Sequence, residues 1–364
     1  MGGVKMNITF LIGNGFDIGL GLKTRYENFY EKYCCPTEED NANIKAFKNT
    51  LRSWQQIRDA DKSKYTRYTK IVDWSDFERA FGKHSNDFRL QNKGAYVERF
   101  EHFVKSFNEY LKSEEGKVDY SDTKLIIDTM NKATTTYYHI RPGDKNRIQQ
   151  EITRYGNQTV YNFVSFNYTK TVDECAEIFN NFLKNDSFRS VGKVRHIHGY
   201  VERNMIIGVD NENQIENPEL SQDSEIISEL LKPTQNQDSR TNYESDVISM
   251  INQSQVICVY GMSIGETDKK WWNIISKWLL SDSHRVLIIL SHNENYDERF
   301  TFTQRRTVNE ITNKYFDLVD LSDIEKEKIK DRIFVGINYD IFEMNLVEKE
   351  CEIETNINIS ENVS

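Results

Sequence analysis

Hydrophobic residues along the chain fall into short runs that are separated by longer stretches of mixed polarity. Runs such as VICVY and VLIIL are apolar on both faces, which is typical of strands buried beneath helices on the two sides of a sheet. The runs predict five strands and one further candidate: Ile8–Ile12, Thr159–Ser165, Lys193–His198, Val256–Tyr260 and Val286–Leu290, with Arg332–Val335 as the candidate sixth.

Apolar residues at helical spacing lie between these runs. One stripe extends from Tyr26 to Tyr33 and follows Thr24, which fits the first position of a capping box. Another follows Asp268, a candidate helix cap, and places three apolar residues on one face: Trp271, Ile275 and Trp278. The alternation of strands and helices predicts an α/β fold with a doubly wound, mostly parallel, Rossmann-like sheet.

The long stretch between the first two predicted strands has a different character. It contains many charges and helix-like apolar spacing, but no convincing strand. We interpret residues 36–155 as a helical insertion, or lid, in a nucleotide-binding domain made of residues 1–35 and 156–345. Loops at the carboxyl ends of strands build the sites of such folds, so the insertion is expected to lie over a ligand. A flexible polar excursion is predicted for Asn211–Asp246, and a polar C-terminal tail for residues 346–364.

Composition and charge exclude several classes of protein. Hydrophobic residues make up 38% of the chain and aromatic residues 12%, which is typical of a folded protein. The net charge of -10 argues against a nucleic-acid-binding surface spread over the whole chain, although it leaves room for a local basic groove. No apolar run reaches the roughly 20 residues that span a membrane. The five cysteines form no CxxC pair and no signal-peptide pattern is present, so we expect reduced thiols in a cytoplasmic protein.

Gly13-Asn14-Gly15 directly follows the first predicted strand. A buried strand that leads into a glycine-rich turn lets backbone N–H groups approach a phosphate. A dinucleotide-binding fingerprint would have its third glycine where this chain has Ile18, so the match is partial. The alternative is a tight turn without a ligand, in which Asp17 braces the turn instead of holding a ribose hydroxyl.

Polar residues also end the second and third predicted strands. The Asn167 amide, next to Phe166, could orient a water or a ribose hydroxyl without adding charge, or it could cap a turn. The segment His196-Ile197-His198-Gly199 allows three interpretations: metal ligands, one catalytic base with a structural neighbour, or an ordinary strand end. A metal pair would need further Asp, Glu or His ligands, and none stands at a recognisable spacing.

The fourth predicted strand ends in GMSIGETD, which contains Gly261, Ser263 and Asp268. Small residues there would allow a ligand to approach closely, and the Ser263 hydroxyl could donate to a phosphate or a ribose. An ordinary strand-to-helix turn is the alternative. Because the carboxyl ends of parallel strands meet at one edge of a sheet, we expect all four turns to converge on one site.

Six motifs in order along the chain resemble those of the AbiH family, bacterial proteins associated with abortive infection by phage. They are IGNGFDIGLGLKTRYENF, WSDFE (Trp74–Glu78), SFNYT, HIHG, GVDN (Gly208–Asn211) and GMSIGETD. The resemblance extends from the first strand to about Trp272 and covers most of the chain.

A more distant similarity connects the chain with sirtuin-like NAD-binding domains. Asn167 and His198 fall on the positions that carry NAD cleavage in sirtuin-like defence effectors. The chain departs from that pattern at Asp17, where a small hydroxyl residue is usual, at Lys23, where proline is usual, and at Thr169, where aspartate is usual. It also lacks a four-cysteine zinc module, which makes a protein deacylase improbable.

The resemblance implies an anti-phage effector that hydrolyses the nicotinamide–ribose bond of NAD or a related nucleotide. Asn167 would position the attacking water or a ribose hydroxyl, and neutral His198 would accept its proton. NAD would be the substrate or ligand, with no separate cofactor and no metal. The residues assigned to nucleotide binding are Gly13, Asn14, Gly15, Asp17, Phe166, His196, Gly199, Gly261, Ser263 and Asp268.

Two alternative functions stay open at this point. A non-catalytic nucleotide-binding sensor in phage defence would use the same pocket, and a metal-dependent nuclease would use His196 and His198. The expected partners are an NAD-like small molecule and either a second copy of the chain or a regulatory protein that keeps the enzyme inactive. No membrane and no nucleic-acid partner is expected.

Overall fold

A six-stranded, all-parallel sheet forms the centre of the computed structural model, which describes residues 5–60, 74–239, 243–294 and 296–347. The strands are β1 (Met6–Ile12), β2 (Thr159–Ser165), β3 (Arg189–His196), β4 (Val256–Tyr260), β5 (Val286–Ser291) and β6 (Ile333–Ile337). They lie in the order β3-β2-β1-β4-β5-β6. All six predicted strands are confirmed, and so is the α/β, Rossmann-like, parallel fold.

The register of the central strands brings their carboxyl ends to one edge. Ile12, the last residue of β1, pairs with Ser165 of β2 and with Tyr260 of β4. Ser165 in turn pairs with His196, the last residue of β3. The chain moves outward from β1 to β3 and then returns to β4 on the other side of β1, so the strand order switches between β1 and β4. Such a switch point opens a crevice outside the carboxyl ends of parallel strands.

Fourteen helices connect the strands within the described residues. They are α1 (Gly15–Gly19), α2 (Tyr26–Tyr33), α3 (Ala42–Ala60), α4 (Trp74–His84), α5 (Lys93–Glu115), α6 (Thr123–Thr136), α7 (Pro142–Ile152), α8 (Thr171–Phe182), α9 (Ser224–Leu230), α10 (Lys232–Asp238), α11 (Tyr243–Gln253), α12 (Lys269–Ser281), α13 (Thr301–Leu318) and α14 (Asp323–Lys330).

Two predicted helix caps are wrong, because the side chain that precedes each helix accepts no hydrogen bond from its first turn. Arg25, not Thr24, is the residue that precedes α2, and the Thr24 hydroxyl donates to Asn14 Oδ1 at 2.5 Å. Asp268 does precede α12, but its carboxylate accepts no N–H from that helix. The predicted inner face of α12 is confirmed, since its apolar residues are buried: Trp271, Ile275 and Trp278.

Two hydrophobic cores lie on opposite faces of the sheet, since successive strand residues point to opposite sides. One core packs Phe10 and Phe163 against Ile126 of α6 and Ile148 of α7. The other contains Trp272 of α12. Helices α6 and α7, which fall within the predicted insertion, therefore cover the sheet itself.

A third hydrophobic core belongs to a helical unit that we call the cap: α2 to α5 together with residues 201–238, which include α9 and α10. Its centre is a stack of aromatic rings, with the ring centroids of Phe77 in α4 and Phe103 in α5 only 3.9 Å apart. Part of the predicted polar excursion is thus helical and packed. Of the predicted C-terminal tail, residues 348–364 lie outside the described residues.

Candidate functional site

A cleft of about 840 Å³ lies between the carboxyl edge of the sheet and the cap, a volume suited to a small-molecule ligand. Turns after the strands form one wall, and cap residues such as Glu78 and Phe107 form the other. The wall contains most residues that the sequence assigned to a site: Gly13, Asn14, Gly15, Asp17, Phe166, Asn167, His198, Gly261, Ser263 and Asp268. His196 and Gly199 do not line it.

The glycines after β1 and β4 allow two turns to pack backbone against backbone. Gly13 N donates to Tyr260 O at 2.9 Å, and Gly15 N donates to Gly261 O at 3.0 Å. Gly261 has a φ of +64°, and a Cβ on it would lie 2.5 Å from Gly15 Cα. The turn therefore needs glycine for close packing. Two of the N–H groups expected to approach a phosphate already bond within the protein.

Asn14 and Asp17 hold the glycine turn in place. Asn14 Nδ2 donates to Thr24 O at 3.0 Å. The buried Asp17 carboxylate accepts from the Thr169 hydroxyl at 2.8 Å and from the Thr171 hydroxyl at 2.6 Å. Asp17 and Thr169, two of the departures from the sirtuin-like pattern, are thus partners of each other. These contacts correspond to the bracing role of Asp17 that the sequence left as one alternative.

Burial gives Asp17 an unusual proton affinity. Loss of solvation raises the pKa of Asp17 to about 6, although the bonds from Thr171 and Thr169 act in the opposite direction. The folded state therefore binds this proton more tightly than the unfolded chain does, between about pH 4 and pH 6. The free energy of unfolding must fall as pH rises through that window.

Replacing Asp17 by asparagine should remove this dependence on pH. We expect the free energy of unfolding of the wild type to fall by about 2 kcal/mol between pH 4 and pH 7, relative to that of the Asp17→Asn variant over the same range. Urea denaturation at the two pH values measures it. The exposed Asp128→Asn is the matched control for removal of a carboxylate from the surface. A constant difference for Asp17→Asn would contradict the assignment.

Two hydrogen bonds fix the position of Asn167. Its backbone N–H donates to Ser165 Oγ at 3.1 Å, and its side-chain Nδ2 donates to Gly13 O at 3.1 Å. The side chain is buried but lines the cleft. Its Oδ1 accepts no hydrogen bond from the described residues and can accept one from a ligand or a water.

The histidines at and just beyond the end of β3, His196 and His198, have different partners. His196 Nδ1 contacts Asn167 O at 3.1 Å and its Nε2 contacts Asp173 Oδ2 at 2.6 Å, so both ring nitrogens are engaged away from the cleft. Gly199 makes the following turn, with a φ of +66°. His196 therefore supports the Asn167 backbone, while His198 alone faces the cleft.

His198 is buried beside Asp268. Its Nε2 lies 3.5 Å from Asp268 Oδ1, and its Nδ1 has no hydrogen-bond partner among the described residues. Burial lowers the pKa of His198, although the neighbouring Asp268 opposes that effect, so the ring is neutral at cellular pH. A neutral ring with Nε2–H directed at Asp268 leaves the Nδ1 lone pair free to accept a proton.

Charged residues from the cap complete the site, and the sequence did not assign them to it. Lys232 Nζ bonds Glu78 Oε2 at 2.8 Å, and both side chains are buried and line the cleft. Asp210 interacts electrostatically with Lys232, and burial raises the pKa of Asp210 to about 7. The available signal was the motifs themselves, because Glu78 ends WSDFE and Asp210 lies in GVDN.

A comparison of the chain with known protein families finds one matching family. The family model described as bacteriophage abortive infection AbiH matches residues 9–290, from β1 to the end region of β5. The chain belongs to the AbiH family. Membership of this family supports a role of this AbiH protein in bacteriophage abortive infection. No curated protein matches the chain at a significant level.

The AbiH motifs converge on the cleft although they are far apart in the chain. WSDFE contributes Glu78, SFNYT contributes Asn167, HIHG contributes His198 and GMSIGETD contributes Asp268. Each of these residues lies inside the matched range. The cleft is therefore the place where the distinctive residues of this AbiH chain come together.

Three further findings concern the described part of this AbiH chain. Its helices are too short or too polar to cross a membrane. No group of three or more His, Cys, Asp or Glu side chains in those residues could hold a metal ion. The cysteines found there are free thiols: Cys34, Cys35, Cys175 and Cys258.

Proposed function

We propose that this AbiH-family protein hydrolyses the nicotinamide–ribose bond of NAD or of a related nucleotide. The observation that carries the proposal is the presence of Asn167 and His198 on the wall of one cleft at the switch point of the sheet. These side chains come from different strand ends, and the rings of Phe166 and Tyr168, on either side of Asn167, lie 5.9 and 6.1 Å from the His198 ring.

His198 would act as the general base. The lowered pKa keeps its ring neutral, and Asp268 would orient the ring through Nε2 and stabilise the positive charge that appears when the ring gains a proton. A positioned base of this kind contributes roughly 10²–10⁴-fold to a rate. Asn167 would accept a hydrogen bond from the attacking water at Oδ1 and so fix its direction.

The reaction balances without an additional reagent. Water oxygen forms a bond to the ribose C1′ as the C1′–N bond to the pyridinium breaks, and the bonding electrons move to the ring nitrogen. One water proton passes to His198 Nδ1 and is later released to solvent. The products are nicotinamide, an ADP-ribose with a free hydroxyl at C1′, and a proton. In a cell this reaction would deplete NAD and stop phage growth at the cost of the host, in agreement with the role of the family.

The sensor hypothesis and the nuclease hypothesis make different demands on the site. A nuclease that uses both histidines would need His196 and His198 to share a metal, yet the two rings engage separate partners. A sensor would bind a nucleotide in the same cleft without needing a base. The unpartnered Nδ1 of His198 favours the enzyme over the sensor.

Release of nicotinamide from NAD by the purified protein tests the proposal. The protein is incubated with NAD, with and without lysate of phage-infected cells as a trigger, and nicotinamide is quantified by chromatography. We expect release that continues in the presence of a chelator. NAD binding without release in either condition would contradict the proposal and support the sensor. Loss of activity on chelation that Mn²⁺ or Zn²⁺ restores would support a metal-dependent reaction.

A further inference from the structure

The charge of the cleft is unexpected for a site that holds phosphates. Among the described residues, seven carboxylate side chains line it against two basic ones, Arg25 and Lys232. Lys232 is already paired with Glu78 at 2.8 Å. An anionic ligand group would therefore meet repulsion over most of the wall.

The backbone donors expected to bind phosphate are also occupied. Gly13 N and Gly15 N donate to carbonyl groups of the neighbouring turn. Helix α1, which follows, has only five residues and offers little dipole. The glycine turn thus shapes the wall of the cleft but presents few donors to an anion.

Three buried or half-buried carboxylates surround Lys232, and two of them, Glu78 and Asp268, line the cleft. Glu78, Asp210 and Asp268 all interact with the single ammonium group of Lys232, and His198 lies among them as a neutral ring. A second observation points to a ligand at this place. His198 is only 7% exposed, and its Nδ1 is buried without a hydrogen-bond partner among the described residues. Unsatisfied buried polar atoms of this kind are costly unless a ligand engages them.

We propose that the cleft recognises the positively charged N-ribosylpyridinium part of its substrate, through the net negative charge that Glu78, Asp210 and Asp268 retain around the single Lys232 ammonium group, and does not depend on the phosphates. The inference rests on the proposed function and narrows its substrate class. Negative charge beside the ribose favours a cationic glycosidic nitrogen in the bound substrate, and it stabilises the positive charge that moves to C1′ as the bond breaks.

The substrate class follows from this charge pattern. Nicotinamide riboside carries the pyridinium cation without any phosphate and should be cleaved. NADH has the phosphates of NAD but a neutral dihydropyridine ring, so it should compete poorly. The two compounds separate recognition of the cation from recognition of the phosphates.

The experiment compares NAD and nicotinamide riboside as substrates, and NADH as a competitor. We expect kcat/KM for nicotinamide riboside to lie within about tenfold of that for NAD, and NADH to bind at least about tenfold more weakly than NAD. Cleavage of NAD with nicotinamide riboside more than about 100-fold poorer, or NADH that binds as tightly as NAD, would overturn the inference but leave the proposed hydrolysis intact. Release of nicotinamide from neither compound would overturn both.

A variant without a charge at Glu78 tests whether this cap carboxylate contributes to recognition of the pyridinium cation. Glu78→Gln keeps an acceptor for Lys232 but removes the negative charge, and it should lower kcat/KM for nicotinamide riboside by at least about tenfold. Glu101→Gln is the matched control, because Glu101 also pairs with a lysine in the cap, Lys105 at 2.6 Å, but on the exposed surface. It should change kcat/KM by less than about twofold. Equal effects of the two substitutions would contradict the role of Glu78.

Discussion

Replacement of His198 by alanine will lower the rate of nicotinamide release from NAD by about 10²–10⁴-fold. Of the two histidines in the segment His196–His198, only His198 lines the cleft, whereas both ring nitrogens of His196 are engaged elsewhere. NAD affinity should change little, since the imidazole acts on the water rather than on the substrate. Single-turnover kinetics and equilibrium binding of NAD separate the two quantities.

The matched control is His284→Ala. His284 is exposed, contacts Glu151 at 2.9 Å and stands before β5, at the opposite edge of the sheet from the cleft. Its replacement should leave nicotinamide release within about twofold of the wild type. A second readout is the pH profile: because burial lowers the pKa of His198, the loss of wild-type kcat/KM that its protonation causes should occur below the usual range of a histidine, and this acidic limb should disappear in His198→Ala. Activity of His198→Ala within a few fold of wild type would exclude this residue as the base.

Replacement of Lys232 by methionine will lower the free energy of unfolding by about 3–5 kcal/mol. Lys232 and Glu78 each have side chains that are 7% exposed, and they form a direct ion pair across the cap. Removing the ammonium group leaves the Glu78 carboxylate buried beside Asp210 and Asp268 with no compensating charge. Denaturant unfolding of the wild type and the variant measures the loss.

The double variant Lys232→Met/Glu78→Gln distinguishes charge from packing. If the loss comes from an unpaired buried carboxylate, neutralising Glu78 should restore most of the stability. Lys105→Met removes an exposed lysine from its pair with Glu101 and should cost less than about 1 kcal/mol. A Lys232→Met variant as stable as the Lys105→Met variant would contradict the buried ion pair.

The sheet could be predicted from the sequence because its strands are short apolar runs bounded by polar turns. Val256–Tyr260 is buried at every position, and its predicted and observed limits coincide. The limits of β3 were less accurate, since this edge strand begins at Arg189 and is polar over much of its length. An edge strand has one exposed side, so its hydrophobic pattern is weak.

The sequence predicted only those residues of the candidate site that lie at the carboxyl ends of strands. Asn167 and His198 could be expected at a common edge because parallel strands share that edge. Glu78 and Lys232 lie 154 positions apart in the chain and on separate cap helices, so no local pattern indicated their pairing. Their burial depends on how the cap folds over the sheet, which periodicity does not specify.

Local sequence patterns gave wrong predictions for some glycine and acidic residues near turns. Gly13 and Gly261 mark a close contact between two turns rather than an open phosphate loop. Asp268 has the type and position of a helix cap, yet its side chain turns to His198. In both cases the backbone group or side chain that the motif would use contacts a residue far away in the sequence, which the local pattern does not show.

A crystal structure of the His198→Ala variant soaked with NAD will show whether Asn167 and His198 face the same nicotinamide ribose. The variant retains the cleft but lacks the proposed base, so the intact substrate should persist in it. We expect electron density for the nicotinamide ribose beside Asn167, with C1′ facing the vacated imidazole position and the pyridinium ring near Glu78 and Asp268. NAD bound elsewhere on the protein, or bound with its phosphates in place of the pyridinium, would contradict this prediction.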